Sequence, residues 1–312
     1  MRHAVIVAGP TCSGKSALAL GLAQRLGGTV INADSMQVYR ELRLLTARPS
    51  EVEEAMVPHR LYGVRPAAEA GSVAWWRAAA LAEMEASNVP ILCGGTGLYF
   101  ASLTQGLTEI PEPVPEARAE ARDRLATLGP AALHAALAAV DPESATRLNP
   151  ADSQRIARAW EVWRSTGRSL TQWQRSSATP APWRFTVLRL DPPRESLRTA
   201  IAARFAGMLA KGAVAEVEAL LAQNLDPGLP AMRALGVPEL SAYLLGEMSL
   251  AEAEARAVLA SGQYIKRQAT WFRHRSLAAP ERTHIIHARI AGLEQFSERE
   301  WADLINFIQS GG

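Results

Sequence analysis

The sequence predicts an α/β protein: a parallel sheet flanked by helices, with an all-helical insertion. Three observations lead there. Short apolar, β-branched runs alternate with helical stretches, an order that builds a parallel sheet with helices on both faces. One strand–helix junction reads "GPTCSGKS" (9–16), which fits G-x-x-x-x-G-K-[ST] and makes the sheet P-loop NTPase-like. Two proline-rich seams enclose a long stretch with no strand signal.

Taken in order, "AVIVAG" (4–9) is the first strand candidate and runs straight into the loop. "SALALGLAQRLGG" follows with Leu18, Leu22 and Leu26 at i, i+4, i+8, and Gly27 and Gly28 stop that helix. "TVINAD" (29–34) is a second strand, "SVAWWRAAALAEMEAS" (72–87) a helix and "VPILCGG" (89–95) a third strand. "IPEPVPE" (110–116) then opens a run of Ala- and Arg-rich helical segments, which "SSATPAPW" (176–183) closes. We read 111–180 as an inserted helical domain and 1–110 with 181–312 as the core; ordinary helices packed on the sheet are the alternative. "RFTVLRLD" (184–191) returns to the sheet, and the chain after 192 reads as mostly helical.

Bulk properties bound the function. The chain has 312 residues, 48% hydrophobic and 21% charged, with a net charge of only +2, so any nucleic-acid contact must come from local patches. Two cysteines, Cys12 and Cys93, lie beside the suspected active-site turns rather than in a disulfide framework. No run approaches the ~20 apolar residues of a membrane span, and the first strand begins near Met1. We expect a cytoplasmic protein without a signal peptide or membrane association, acting as a monomer.

Three constellations carry chemistry. The loop's backbone amides would cradle phosphate oxygens while Lys15 neutralises charge and Ser16 holds Mg²⁺. Asp34, at the end of the second strand, would face the ligand crevice as a general base or metal ligand. Its spacing to Gln37 also suits a helix cap. "LCGGTGLYF" (92–100) offers Gly94, Gly95 and Gly97 for close backbone approach and Thr96 as a donor, or is only a tight turn. Basic helix faces complete the set. Gln154 and Arg158 lie opposite a stripe of Ile156, Trp160 and Trp163, and Gln263, Lys266, Thr270 and Arg273 share one face. Such faces suit RNA, although a solvated face is the commoner reason for a charge run. Trp75, Trp76, Trp160 and Trp163 are assigned to core. Asp191, ending "VLRLD", could imitate the metal-binding strand-end carboxylate of a kinase, but no short Arg-rich lid motif accompanies it.

The ordered run "VAGPTCSGKS…INADSMQVY…VPHRLYG…VPILCGGTGLY…NPADSQRIARAWEV…KRQATWFR" resembles the bacterial tRNA dimethylallyltransferases and spans nearly the whole chain. The resemblance implies dimethylallyl diphosphate as donor, with Mg²⁺, and as acceptor the exocyclic amine of the adenosine immediately 3′ of the anticodon in tRNA. It implies that Gly9, Pro10, Thr11, Cys12, Ser13, Gly14, Lys15, Ser16 and Arg204 hold the diphosphate. Asp34 matches the base, and Thr96 a residue that donates to the bridging oxygen or steadies the amine. Ser35, Met36 and Gln37 would line the adenine site. Arg118, Gln154, Arg155, Arg158, Lys266, Arg267 and Arg273 would meet the anticodon stem-loop, with the insertion as a clamp. ATP would bind the loop weakly, as a nucleotide, without being consumed.

The chain departs from the pattern at Leu45 and Arg48, where Gly and Lys are usual, and at Val237 and Pro238, where Tyr and a basic residue are usual. No C-terminal Cys/His zinc pattern is present, in keeping with the bacterial type. Three other readings stand behind this one: an enzyme acting on free adenine nucleotides, a small-molecule kinase, and a non-enzymatic RNA-binding module.

Overall fold

The structure is a computed structural model that describes residues 2–175 and 178–310. Ser176 and Ser177 of the second proline seam lie outside the described residues. By its own contacts the chain divides into two units, 1–104 with 181–312, and 105–180.

The larger unit is built on a six-stranded, wholly parallel sheet among the described residues. Its strands are β1 (Arg2–Ala8), β2 (Thr29–Asn32), β3 (His59–Arg60), β4 (Pro90–Gly94), β5 (Trp183–Leu190) and β6 (Thr283–Ile286), in spatial order β3-β2-β4-β1-β5-β6. The strand-to-helix path runs through α1 (Lys15–Leu26), α2 (Glu51–Met56), α3 (Val73–Ala86) and α4 (Gly97–Thr104). The smaller unit holds α5 (Pro115–Val140), α6 (Pro142–Arg147), α7 (Ser153–Thr166) and α8 (Leu170–Gln174). The larger unit resumes with α9 (Arg194–Ala210), α10 (Ala213–Leu221), α11 (Val237–Leu244), α12 (Leu250–His274) and α13 (Glu298–Ser310).

β1 explains why both faces are covered. Its residues alternate between two cores, as a period of two requires. Ala4, Ile6 and Ala8 pack with Trp76, Tyr99 and Phe100, while Val5 and Val7 pack with Leu18, Leu22 and Trp301. Trp76 stacks on Tyr99 with ring centroids 4.2 Å apart, so Trp76 is core as expected. A third core joins the loop after β2 to α9–α12 through Val38, Leu42, Leu45, Phe205 and Leu240.

Two strands were not expected. β3 spans two residues, too few for alternation to register. β6 lies in the stretch read as mostly helical; its "THII" is short and becomes a strand because it pairs beside β5. In the smaller unit, α5 is interrupted at Gly129 (φ 77°, ψ 170°), followed by Pro130, which has no N–H to continue the ladder. Leu133, Leu137, Ile156 and Trp160 form that unit's own core.

Candidate active site

Parallel strands place their carboxyl ends on one edge, where ligands bind in such sheets. The loop after β1, Gly9–Gly14, turns there into α1. Gly14 sits at φ 92° and caps α1 with no side-chain acceptor, leaving the first helix amides unpaired by any side chain. A side chain on Gly14 would overlap the Ile290 carbonyl, so the position demands glycine twice over. Ser13 Oγ is buried with no hydrogen-bond partner among the described residues. Such a loop end, with its free amides and helix dipole, favours an anion.

Gln268 of α12 holds this loop from outside. Its Oε1 accepts Thr11 N–H at 2.9 Å and its Nε2 donates to the Gly95 carbonyl at 3.0 Å, with the side chain buried. One amide therefore ties the phosphate loop to the turn after β4.

That turn is compact for a physical reason. A Cβ on Gly94 would overlap the Ala33 backbone, and one on Gly97 would overlap the Trp271 ring. Close approach is thus the role of these glycines. Thr96 Oγ1 accepts Ser35 N–H at 2.9 Å, and Thr96 N–H reaches Ala33 O at 3.1 Å. Thr96 braces the Asp34 loop.

Asp34 lies two residues beyond β2, not at its end, and no helix follows it. Its Oδ1 accepts Met36 N–H at 2.9 Å, a turn rather than a capping box. Gln37, the expected capping partner, donates instead to the carbonyls of Thr46 and Ala47, both at 2.9 Å. Buried Asn32 holds the Asp34 main chain: its Oδ1 accepts Asp34 N–H and its Nδ2 donates to Asp34 O.

Thr11, Lys15, Ser16, Asp34, Ser35, Met36, Gln37, Arg204 and Arg267 line one cavity of about 300 Å³. Arg204 reaches in from α9, with NH1 3.7 Å from Cys12 Sγ and NH2 3.4 Å from Thr46 O. Tyr264 lines the same cavity and was missed from sequence; Arg233, which opens the stretch ending in the Val237 and Pro238 departures, lines it too. Burial first, and then the Asp34 carboxylate, push the Tyr264 phenol well up, so it stays protonated beside that carboxylate. Burial likewise pushes the Cys93 thiol up to about 11 against the pull of the Lys15 ammonium, which leaves it an unreactive thiol.

The remaining expected RNA contacts lie elsewhere. Lys266 is exposed on α12, and Arg273 forks onto Asp191 at 3.1 and 3.3 Å, which occupies that kinase-like carboxylate. Within the helical unit, Arg118 lies 3.8 Å from Glu112, Arg155 3.5 Å from Asp152 and Arg158 3.9 Å from Glu161, while Gln154 is exposed. At the positions of departure, Arg48 donates to the carbonyls of Tyr39 and Arg40, Leu45 is buried, Val237 begins α11 in the core and Pro238 beside it is exposed.

The chain is similar to known proteins over nearly its whole length. A family model described as IPP transferase matches residues 37–275. A tRNA dimethylallyltransferase of Granulibacter bethesdensis is 62% identical, covering 99% of this chain and 98% of its own. One of Gluconacetobacter diazotrophicus is 59% identical, covering 98% and 94%. The crystal structure of the full-length tRNA isopentenylpyrophosphate transferase from Bacillus halodurans superposes with a TM-score of 0.69 at 28% identity, covering 100% of this chain and 98% of that one. The matches extend over nearly the whole chain, and the chain belongs to the IPP transferase family.

Proposed function

We infer that the protein is a tRNA dimethylallyltransferase, passing the prenyl group of dimethylallyl diphosphate to N6 of the adenosine 3′ of the anticodon. The observation that carries this reading is the shared cavity: a phosphate loop with Lys15 on one wall and the Asp34 carboxylate on another. A carboxylate facing a phosphate loop would also serve a kinase, where it accepts a hydroxyl proton; family membership and the similarity to tRNA dimethylallyltransferases favour prenyl transfer.

An adenine amine is a weak nucleophile because its lone pair is delocalised into the ring. As N6 bonds to the first prenyl carbon, the carbon–oxygen bond to diphosphate breaks and its electron pair leaves with the diphosphate. The N6 proton passes to Asp34, whose main chain Asn32 holds in place. Loop amides, Lys15 and Arg204 oppose the charge that gathers on the leaving group. Thr96 keeps Ser35 and the Asp34 turn in register with the β4 turn, and from beside the cavity it serves the bridging oxygen or the amine. Tyr264 offers a neutral donor to the acceptor side.

The residues suit Mg²⁺. Among the described residues no three His, Cys, Asp or Glu cluster as a metal cage, which fits an ion held mainly by substrate phosphates and water. Ser16 would hold it, and it would supply charge neutralisation to the diphosphate. The acceptor base must leave its stack to reach a cavity of this size, and a loop nucleotide does so at least cost. Arg267, Lys266 and the arginines of the helical unit would then meet RNA phosphates. No helix among the described residues is long and apolar enough to cross a membrane. We place the enzyme in the cytoplasm, with tRNA.

The test is direct. Purified protein, dimethylallyl diphosphate, Mg²⁺ and an unmodified anticodon stem-loop are expected to give N6-dimethylallyladenosine by nucleoside mass spectrometry, with inorganic pyrophosphate as a competitor. A product that forms only with ATP, or no product, overturns the assignment.

A further inference from the structure

The stretch that follows β6 closes over the phosphate loop. Arg289 Nε donates to the Cys12 carbonyl at 3.1 Å, and Ile290 N–H donates to the Ser13 carbonyl at 3.0 Å. Two consecutive loop carbonyls are thus taken by two consecutive residues. In a trans peptide the C=O and the following N–H point in opposite directions, so each bond also aims an amide. The Ser13 bond turns Gly14 N–H away from Ile290. The Cys12 bond turns Ser13 N–H toward the Pro10 carbonyl, which accepts it at 3.2 Å. Cys12 needs such a hold, because its φ of 65° lies in the left-handed region that non-glycine residues keep only when their surroundings impose it. The stretch is itself well anchored. Ile290 is buried in the core that holds α1 and Trp301, and that indole fills the space a Cβ on Gly21 would take.

We propose that Arg289 is a positioning residue for the diphosphate: by holding the Cys12 carbonyl it keeps the loop's amides turned toward the leaving group. The proposal rests on the loop as the diphosphate site of the reading above. Arg289 is not among the residues that line the cavity, so it acts through Cys12 rather than on the ligand. Arg204 differs, since it lines the cavity and meets Cys12 at the thiol instead. Arg289 is half-buried, and no carboxylate pairs with it among the described residues. Its positive charge is therefore poorly screened and stands uncompensated beside a loop that collects negative charge. No local motif marks this arginine, because its partner lies 277 residues away along the chain. A bond that only docked the C-terminal stretch would serve stability alone, and ligand affinity separates the two roles.

The experiment measures inorganic pyrophosphate affinity by calorimetry, and donor KM and kcat with the anticodon stem-loop, on wild type, Arg289→Met and Arg289→Lys. Arg289→Met is expected to weaken pyrophosphate and raise donor KM about ten-fold or more, with kcat falling less. Arg289→Lys, which keeps the charge and a donor, should recover most of that loss. Glycine holds a φ of 65° unaided, so in a Cys12→Gly background Arg289→Met should cost less than about three-fold. Arg289→Gln, neutral and shorter, should behave as Arg289→Met and reads the same bond if that variant does not fold. A folded Met or Gln variant with wild-type pyrophosphate affinity and donor KM overturns the proposal, whatever its melting temperature. An equal cost with and without Cys12→Gly overturns the route through Cys12. A wild type that does not bind pyrophosphate overturns the diphosphate site, and the proposal with it. A wild type that binds pyrophosphate but transfers no prenyl group overturns prenyl transfer alone, because the binding arm still decides the role of Arg289.

Discussion

The side-chain amide of Asn32 grips Asp34 by both ends of its main chain, accepting Asp34 N–H at 2.8 Å and donating to Asp34 O at 3.0 Å. The same Nδ2 donates to Leu61 O at 3.0 Å, and the Asn32 carbonyl accepts Trp76 Nε1–H at 2.8 Å. Asn32 is fully buried, so every one of these groups loses water and needs its partner. We expect Asn32→Ala to lower kcat by about 10-fold or more and to cost roughly 1–3 kcal/mol of stability, because buried donors and acceptors are left unmade. Unfolding curves and steady-state kinetics on one preparation separate the two effects. Normal kcat in a destabilised variant would remove Asn32 from the positioning of Asp34.

Asp34→Asn is a cleaner test than sequence alone suggests. Asn retains the oxygen that accepts Met36 N–H at 2.9 Å, so the turn should survive while the proton acceptor is lost. We expect kcat to fall about 10²-fold or more with the pyrophosphate inhibition constant little changed. Near-wild-type turnover excludes the base role.

Gln268 joins Thr11 N–H to the Gly95 carbonyl, so its loss should loosen the loop and the Thr96 turn together. Gln268→Glu can still accept from Thr11 but has no N–H for Gly95. We expect its donor KM to rise several-fold and kcat to fall, and Gln268→Leu to be worse in both. Equal, purely thermal destabilisation with unchanged constants at low temperature would assign Gln268 to packing.

Alkaline stability should report Cys93. Its thiol is raised from 9.0 to about 11 in the folded protein, so the unfolded chain releases that proton first as pH rises. The stabilising contribution is complete below pH 9 and is lost as pH climbs through 11. Between pH 8 and 10 the loss from Cys93 should be about 1 kcal/mol; the raised tyrosines add a comparable loss toward the top of that interval, equally in wild type and variant. Urea midpoints of Cys93→Ala, measured over that interval, should fall less steeply than those of the wild type. Parallel slopes refute the assignment.

The helical unit supplies a prediction about salt. Arg118, Arg155 and Arg158 have carboxylate neighbours only at 3.5–3.9 Å, in exposed or half-exposed settings where such pairs are weak and yield readily to phosphate. If they hold the anticodon stem, replacing all three with Gln should reduce the slope of log affinity against log salt by roughly three units. An unchanged slope leaves the unit with no phosphate contact through these residues.

Much of the architecture was legible because it is local. The loop announces itself through glycines and a lysine at fixed spacing, and β1, β4 and β5 through apolar runs long enough to be buried. The order strand–helix–strand then put Lys15, Asp34 and the β4 turn on one sheet edge. What sequence could not supply depends on partners distant in the chain. β3 and β6 are strands only because β2 and β5 lie beside them. Asp34 and Gln37 have the spacing of a capping box, yet the chain makes a turn there because Gln37 finds the Thr46 and Ala47 carbonyls and Asn32 takes the Asp34 backbone. Tyr264 and Gln268 sit on a helix read only for its charged face, and their opposite face reaches the phosphate loop and its cavity. Residue type and spacing determined which chemistry this protein carries. Burial and long-range hydrogen bonds decided which side chains surround it, because a buried polar group settles where a partner exists, and that partner is set by tertiary packing.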